Sequence, residues 1–176
     1  WIEPMKPYME VLTEYKDKGI IKSLGVSCHD YGAMETAVES SWVDVLLARI
    51  NPYGVKCDGS ADEVLKVLKL GKKNRKFIIG MKIYGDGQLS EERDKCMRFA
   101  QNSEVLDAMT IGMNSVEQID DNLKLFQPHN DDSELGVCVL EGSTHHISDV
   151  IQMYQGVEDT SSHGDNIIAY LGFCVF

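Results

Sequence analysis

Apolar and polar positions follow two rhythms along this chain, and they alternate. Over residues 4–18 the apolar side chains Tyr8, Val11, Leu12 and Tyr15 recur at helical spacing, and Gly19 follows as a C-cap. Residues 20–27 read as a strand that ends in a small-residue turn. Residues 30–40 return to a helical pattern. Residues 43–50 form a nearly unbroken apolar run, as expected of a parallel strand buried on both faces, and Asn51-Pro52-Tyr53-Gly54 ends it. Asp58 or Ser60 caps a third helix that runs to about Lys69, with Gly71 after it. Residues 77–83 make a third strand, followed by Tyr84-Gly85-Asp86-Gly87. Residues 91–101 make a fourth helix. A fourth strand at 108–111 turns at Gly112 into a last helix, with Ser115 as its N-cap and Gln118 placed to complete a capping box.

The pattern is therefore one helix and then four βα units of roughly 25–35 residues, the spacing of a right-handed parallel array. Such an array fits a small doubly wound sheet and half of a closed barrel equally well. A whole (β/α)8 barrel takes about 250 residues, so a chain of 176 holds at most part of one. The start, Trp1-Ile2-Glu3-Pro4, carries neither an initiator Met nor a leader pattern, and the chain is expected to begin inside a longer gene.

Charge changes this picture in one place. All 17 Lys and Arg lie at or before Lys124, while acids continue to Asp165, and the net charge is −11. The break near Gln127-Pro128 divides the chain into a βα region, 1–127, and an acidic tail, 128–176. In the tail, 135–140 and 166–176 are apolar enough for strands, 148–154 for a short helix, and 156–164 reads as loop. The tail is either a non-native, out-of-frame extension or a genuine acidic appendage. The acidic balance argues against nucleic acid as a partner. No apolar run approaches the roughly 20 residues of a membrane span. The five cysteines are scattered and odd in number, with no CxxC, which points to a reducing, cytoplasmic setting. His145, His146, Asp149 and His163 are metal-compatible residue types, but they match no ligand spacing and read as polar loop. His29 beside Cys28 reads as a surface or helix-capping histidine, because neighbours on a strand point to opposite faces.

The stretch with most chemistry is residues 106–123, LDAMTIGMNSVEQIDDNL. A strand, a glycine turn and a capped helix direct backbone N–H groups and the positive end of a helix dipole at one point, the usual build of a phosphate cradle. This stretch resembles the last βα turn of the aldo/keto reductases, NAD(P)-dependent barrel enzymes. KGIIKSLGVSCHD, WVDVLLARINPYG and IIGMKIYGDGQL resemble, in order, that family's fifth, sixth and seventh βα units. The resemblance spans residues 6–126, about two-thirds of the chain. It implies an α/β fold: a half TIM-type (β/α) barrel of four parallel units preceded by a helix, with a tail of unassigned structure.

The same resemblance implies a cofactor site. Gly112, Ser115, Gln118 and Asn122 match a Gly-x-x-Ser-x-x-Gln-x-x-x-Asn pattern on the adenosine end of NAD(P)H. Gly85 and Gly87 match a loop along the pyrophosphate, where Lys82 either supplies charge or snorkels from a strand end, and Asp86 opposes an anion. Ser27 matches the Ser of a Ser-Asn pair that binds the nicotinamide carboxamide; Cys28 replaces the Asn, and a thiol cannot make two amide bonds. Leu47 stands where the family has a Gln. Asn51-Pro52 fits the family's strand end or simply terminates the strand. The capping region offers Asn114 and Gln118 but no nearby Arg or Lys for a 2′-phosphate, which points to NAD(H).

The family's catalytic Asp, Tyr, Lys and His come from its first four strands, so the resemblance assigns no catalytic residue here. The expectation is a fragment of a reductase that transfers hydride between a nicotinamide cofactor and a small carbonyl or alcohol, binds cofactor weakly or not at all, and is inactive alone. The alternatives are a non-enzymatic α/β interaction module with an acidic tail, and a metal-binding tail. Half a barrel also leaves two strand edges and an apolar face open. These invite self-association or a covering of the face by tail segments.

Overall fold

A computed structural model of the chain describes residues 2–125 and, within the tail, the backbone of 136–138 and 171–175. Five helices and six strands follow one another as α1 (Ile2–Asp17), β1 (Ser23–Ser27), α2 (Tyr31–Glu39), β2 (Val45–Arg49), α3 (Ala61–Lys73), β3 (Phe77–Met81), α4 (Arg93–Asn102), β4 (Ala108–Thr110), α5 (Val116–Leu125), β5 (Gly136–Cys138) and β6 (Leu171–Val175). Two short 3-10 turns, Gly85–Gly87 and Ser90–Glu92, precede α4.

The strands form one sheet in the order β5-β4-β3-β2-β1-β6, and every pair is parallel. From β1 to β5 each strand lies beside its predecessor. A doubly wound sheet reverses direction at a switch point; these five strands do not. The packing agrees. Val26, Leu46, Ala48, Ile78 and Met109 pack with buried residues of α2, α3 and α4 in one cluster. Val45, Leu47, Ile79, Met81 and Ala108, which alternate with them along the strands, form a second buried cluster with no helical member among the described residues. Helices α2, α3 and α4 therefore share one face of the sheet.

Asp44 and Asp107 peg the starts of the strands. Asp44 accepts from Leu24 N–H at 2.8 Å and its own N–H donates to Leu24 O at 2.8 Å, while Lys16 pairs with its carboxylate. Asp107 does the same with Ile78, both at 2.8 Å, and Lys72 pairs with it.

Several boundaries differ from the sequence reading. β1 begins at Ser23, because Ile20 and Ile21 belong to the turn that closes α1. Gly19 at φ +70 lets its N–H reach Lys16 O at 2.9 Å and Ile20 N–H reach Tyr15 O at 3.0 Å, a Schellman closure. The Tyr8, Val11 and Tyr15 stripe of α1 is exposed; α1 is held instead by Trp42 Nε1–H donating to Thr13 Oγ1 at 2.9 Å and by Lys16. Gly71 lies inside α3 and does not cap it. A Cβ there would stand 3.1 Å from Val38 and 3.2 Å from Ile78, so the glycine permits close helix–sheet contact. Ser60, with Glu63, forms the capping box of α3, while Asp58 pairs with Arg49.

In the tail, β5 and β6 lengthen the sheet at both edges of the four-strand core; the sequence reading offers the tail segments as a cover for the sheet face, with self-association as the alternative. The segments 148–154 and 156–164 lie outside the described residues.

Candidate functional site

A cavity of about 500 Å³ opens at the C-terminal ends of β3 and β4. That end of a parallel sheet is where loops gather functional groups. Lys82, Gly87, Gly112, Gln118 and Asn122 line it, together with Tyr84, Asp86, Arg93, Thr110 and Asn114. Five of the eight residues singled out from sequence thus meet in one place, drawn from the loop after β3, the turn after β4 and helix α5.

Each is positioned by a local cause. Gly112 ends β4 in open space, with nothing within 4 Å of where its Cβ would lie. At the start of α5, Gln118 N–H donates to Ser115 Oγ at 3.3 Å, so Ser115 is the N-cap. Gln118 Oε1 accepts from Asn114 N–H at 2.7 Å. A capping box would return to Ser115 instead; the reach to Asn114 ties down the turn one residue earlier. Ser115 itself serves α5 and does not line the cavity. Gly85 does not line it either. It is buried at φ +56, and a Cβ would meet Val55 Cγ1 at 2.8 Å, so its part is to let the loop after β3 turn.

The electrostatics differ from the sequence reading in one respect. Lys82 Nζ donates to Asp86 Oδ1 at 2.6 Å, and this bond holds the Asp86 carboxyl below its ordinary range. The two charges largely cancel. Arg93, at the first position of α4, is half-buried and forms no ion pair or hydrogen bond with a described residue. With Lys82 paired to Asp86, Arg93 is the cation lining this cavity that has no ion pair among the described residues. A signal for Arg93 was present in the sequence: a cation in the first turn of a helix opposes the dipole, and Glu-Glu-Arg at 91–93 invited that question.

Asn122 is 8% exposed, and its Oδ1 accepts from Tyr84 Oη at 2.6 Å. Burial pushes the Tyr84 phenol up to about 12, with the neighbouring Arg93 pulling weakly the other way.

Ser27 sits apart, on the sheet face away from the helices, 6% exposed. Its Oγ donates weakly to Met81 Sδ at 3.8 Å, and Leu47 is its register partner on β2. On the β2 and β3 side its neighbours are apolar. Cys28 packs in the helix-side core, and burial pushes its thiol up to about 12. Neither replaces the carboxamide contacts that the resemblance implies for this region. Asn51 is fully buried and structural. Its Nδ2 donates to Val55 O at 2.7 Å and Lys82 O at 3.1 Å, and its Oδ1 accepts from the N–H groups of Tyr53 and Val55. It thereby couples the loop after β2 to the start of the cavity wall.

His29 is exposed, and among the described residues no cluster of three or more His, Cys, Asp or Glu is arranged to hold a metal ion. His145, His146, Asp149 and His163 lie outside the described residues. No helix among the described residues is long and apolar enough to cross a membrane. Comparison with protein-family models, with curated proteins and with solved structures finds no match for this chain.

Proposed function

We propose that this chain is the cofactor-binding half of an aldo/keto reductase-type (β/α)8 barrel, corresponding to the fifth to eighth units. The observation that carries the reading is the meeting of Lys82, Gly87, Gly112, Gln118 and Asn122 in one cavity at the C-terminal ends of β3 and β4. The unreversed order of β1 to β5 and the packing of α2, α3 and α4 on one face accord with a singly wound array. A volume of about 500 Å³ lies within the ordinary range for small-molecule sites.

The donor set fits the adenosine and phosphate part of a nicotinamide dinucleotide. Gly112, with no Cβ, lets a phosphate approach the backbone at the start of α5, where the helix dipole favours an anion. Arg93 supplies a full positive charge, and Asn122 supplies an amide for the base. When bound, the cofactor supplies a hydride to a carbonyl carbon. Ser27 stands in the region of the nicotinamide end, but with Leu47 and Met81 around it that end is poorly held. No Asp, Tyr, Lys and His tetrad corresponds to these four units, so the chain alone lacks the acid that protonates a reduced carbonyl.

Calorimetric titration tests this reading. NADPH, NADH and ADP are expected to bind alike and weakly, with Kd on the order of 0.1–1 mM, while nicotinamide mononucleotide does not bind. Aldehyde reduction stays at the level of a buffer control. Equal binding of nicotinamide mononucleotide, or none by the other three, contradicts it.

A second reading, a non-catalytic interaction module, draws on α1, where Tyr8, Val11 and Tyr15 remain exposed along one stripe. Pull-down against a matching N-terminal half-barrel, with Tyr8 and Val11 replaced by Ser, separates the two.

A further inference from the structure

We propose that Tyr84 is a positioning residue that turns the Asn122 amide so that only its Nδ2 faces the cavity, making the site a purine reader with no preference for the amino group of adenine at C6. This rests on the nucleotide reading above and specifies which base the site accepts.

Asn122 is a buried side chain with two polar ends. Its Oδ1 is taken by Tyr84 Oη at 2.6 Å, a bond across 38 residues between the loop after β3 and α5. Its Nδ2 has no hydrogen-bond partner among the described residues, and the residue lines the cavity. A buried amide N–H left without a partner is costly, and a ligand acceptor is what satisfies it. An unrestrained Asn recognises adenine with both ends at once, donating to N7 and accepting from the N6 amino group. Here the accepting end is held by Tyr84, and the donating end remains. Purine N7 is an acceptor in adenine and hypoxanthine alike. Hypoxanthine adds a second acceptor, O6, where adenine has a donor. The phenol stays protonated far above neutral pH, so its hold on Oδ1 persists under ordinary conditions.

The test compares ADP with IDP on the full chain by calorimetry or ligand-observed NMR. For the wild type, the two are expected to bind within about 3-fold of each other. Tyr84→Phe removes only the hydroxyl, frees Oδ1 to accept from the adenine amino group, and is expected to raise the preference for ADP to about 5-fold or more, the low end for a good bidentate pair. Asn122→Ala is expected to weaken both nucleotides alike. A wild-type preference of 10-fold or more for ADP overturns the inference without any variant, and so does an unchanged ratio in folded Tyr84→Phe. Failure of both nucleotides to bind the wild type overturns the nucleotide reading itself, and the inference with it.

Discussion

The Asp107 carboxylate takes the N–H of Ile78 at 2.8 Å just as the Asp44 carboxylate takes the N–H of Leu24 at 2.8 Å, two strands away. In each case a Lys from the helix before the bonded strand pairs with the same carboxylate. The repeated peg fixes the register of β1 against β2 and of β3 against β4 at the end of the sheet opposite the cavity.

Asp107→Ala is therefore expected to cost about 1.5–3 kcal/mol, since a charged acceptor is lost and the Ile78 N–H loses its side-chain partner. Asp94, whose pair with Arg98 is exposed, provides the contrast: Asp94→Ala is expected to leave stability nearly unchanged. Urea unfolding followed by circular dichroism measures both.

Two glycines matched to the same ligand separate into different roles. Gly85→Ala forces a side chain into φ +56 and against Val55, and is expected to destabilise the chain by roughly 1–2 kcal/mol or more. Gly112→Ala meets nothing and leaves the melting temperature nearly unchanged, yet places a methyl where a phosphate would approach. It is expected to weaken nucleotide binding several-fold. Loss of stability in Gly112→Ala with binding intact would reverse this assignment.

Stability should fall on the alkaline side. The Cys28 thiol is raised from 9.0 to about 12 by burial, so the folded chain holds its proton more tightly than the unfolded chain. A group raised on folding contributes fully below its unfolded pKa, and that contribution drains away as pH climbs from 9 toward 12. The limiting slope is about 1.4 kcal/mol per pH unit for one group. Tyr84, raised from 10.0 to about 12, acts in the same direction over the upper part of that window. Denaturation midpoints at pH 8, 9.5 and 10.5 should show the decline, and Cys28→Ala should flatten it. The same burial predicts that Cys28 resists a thiol reagent at pH 8 until the chain unfolds.

Arg93→Gln is expected to reduce NADPH affinity about 10-fold and to reduce its salt dependence, because a full charge on a phosphate is lost. Lys82→Gln is expected to matter less, since Asp86 already neutralises Lys82. A larger effect at Lys82 than at Arg93 would show that the cavity's charge has been assigned to the wrong residue.

The parallel four-strand core was legible from sequence because three of its strands are apolar runs closed by Gly, Pro or Asn, the first ends in a small-residue turn, and each helix has its own period. What the sequence misplaced were features decided by packing. Gly71 resembles a cap until Val38 and Ile78 are seen against it. Ile20 looks like strand until the closing turn of α1 claims it. The exposed stripe of α1 follows from periodicity alone, which says that a helix has an apolar side and not what that side meets. In the cavity, Lys82, Gly87, Gly112, Gln118 and Asn122 came from motif resemblance. Arg93 and Tyr84 did not, because their roles depend on one loop being brought over another. The pairing of Asp86 with Lys82 likewise depends on the left-handed backbone at both residues, which a residue list does not display.

We propose that the cavity between the ends of β3 and β4 holds the adenosine-phosphate part of a nicotinamide dinucleotide. Titrating 15N-labelled chain with NADPH while following backbone amides tests it most directly. Saturable shifts are expected at Gly87, Gly112, Asn114, Gln118 and the Asn122 side-chain amide, with Ser27 little affected. Shifts absent at millimolar NADPH, or centred on the α2–α3 surface instead, would contradict it.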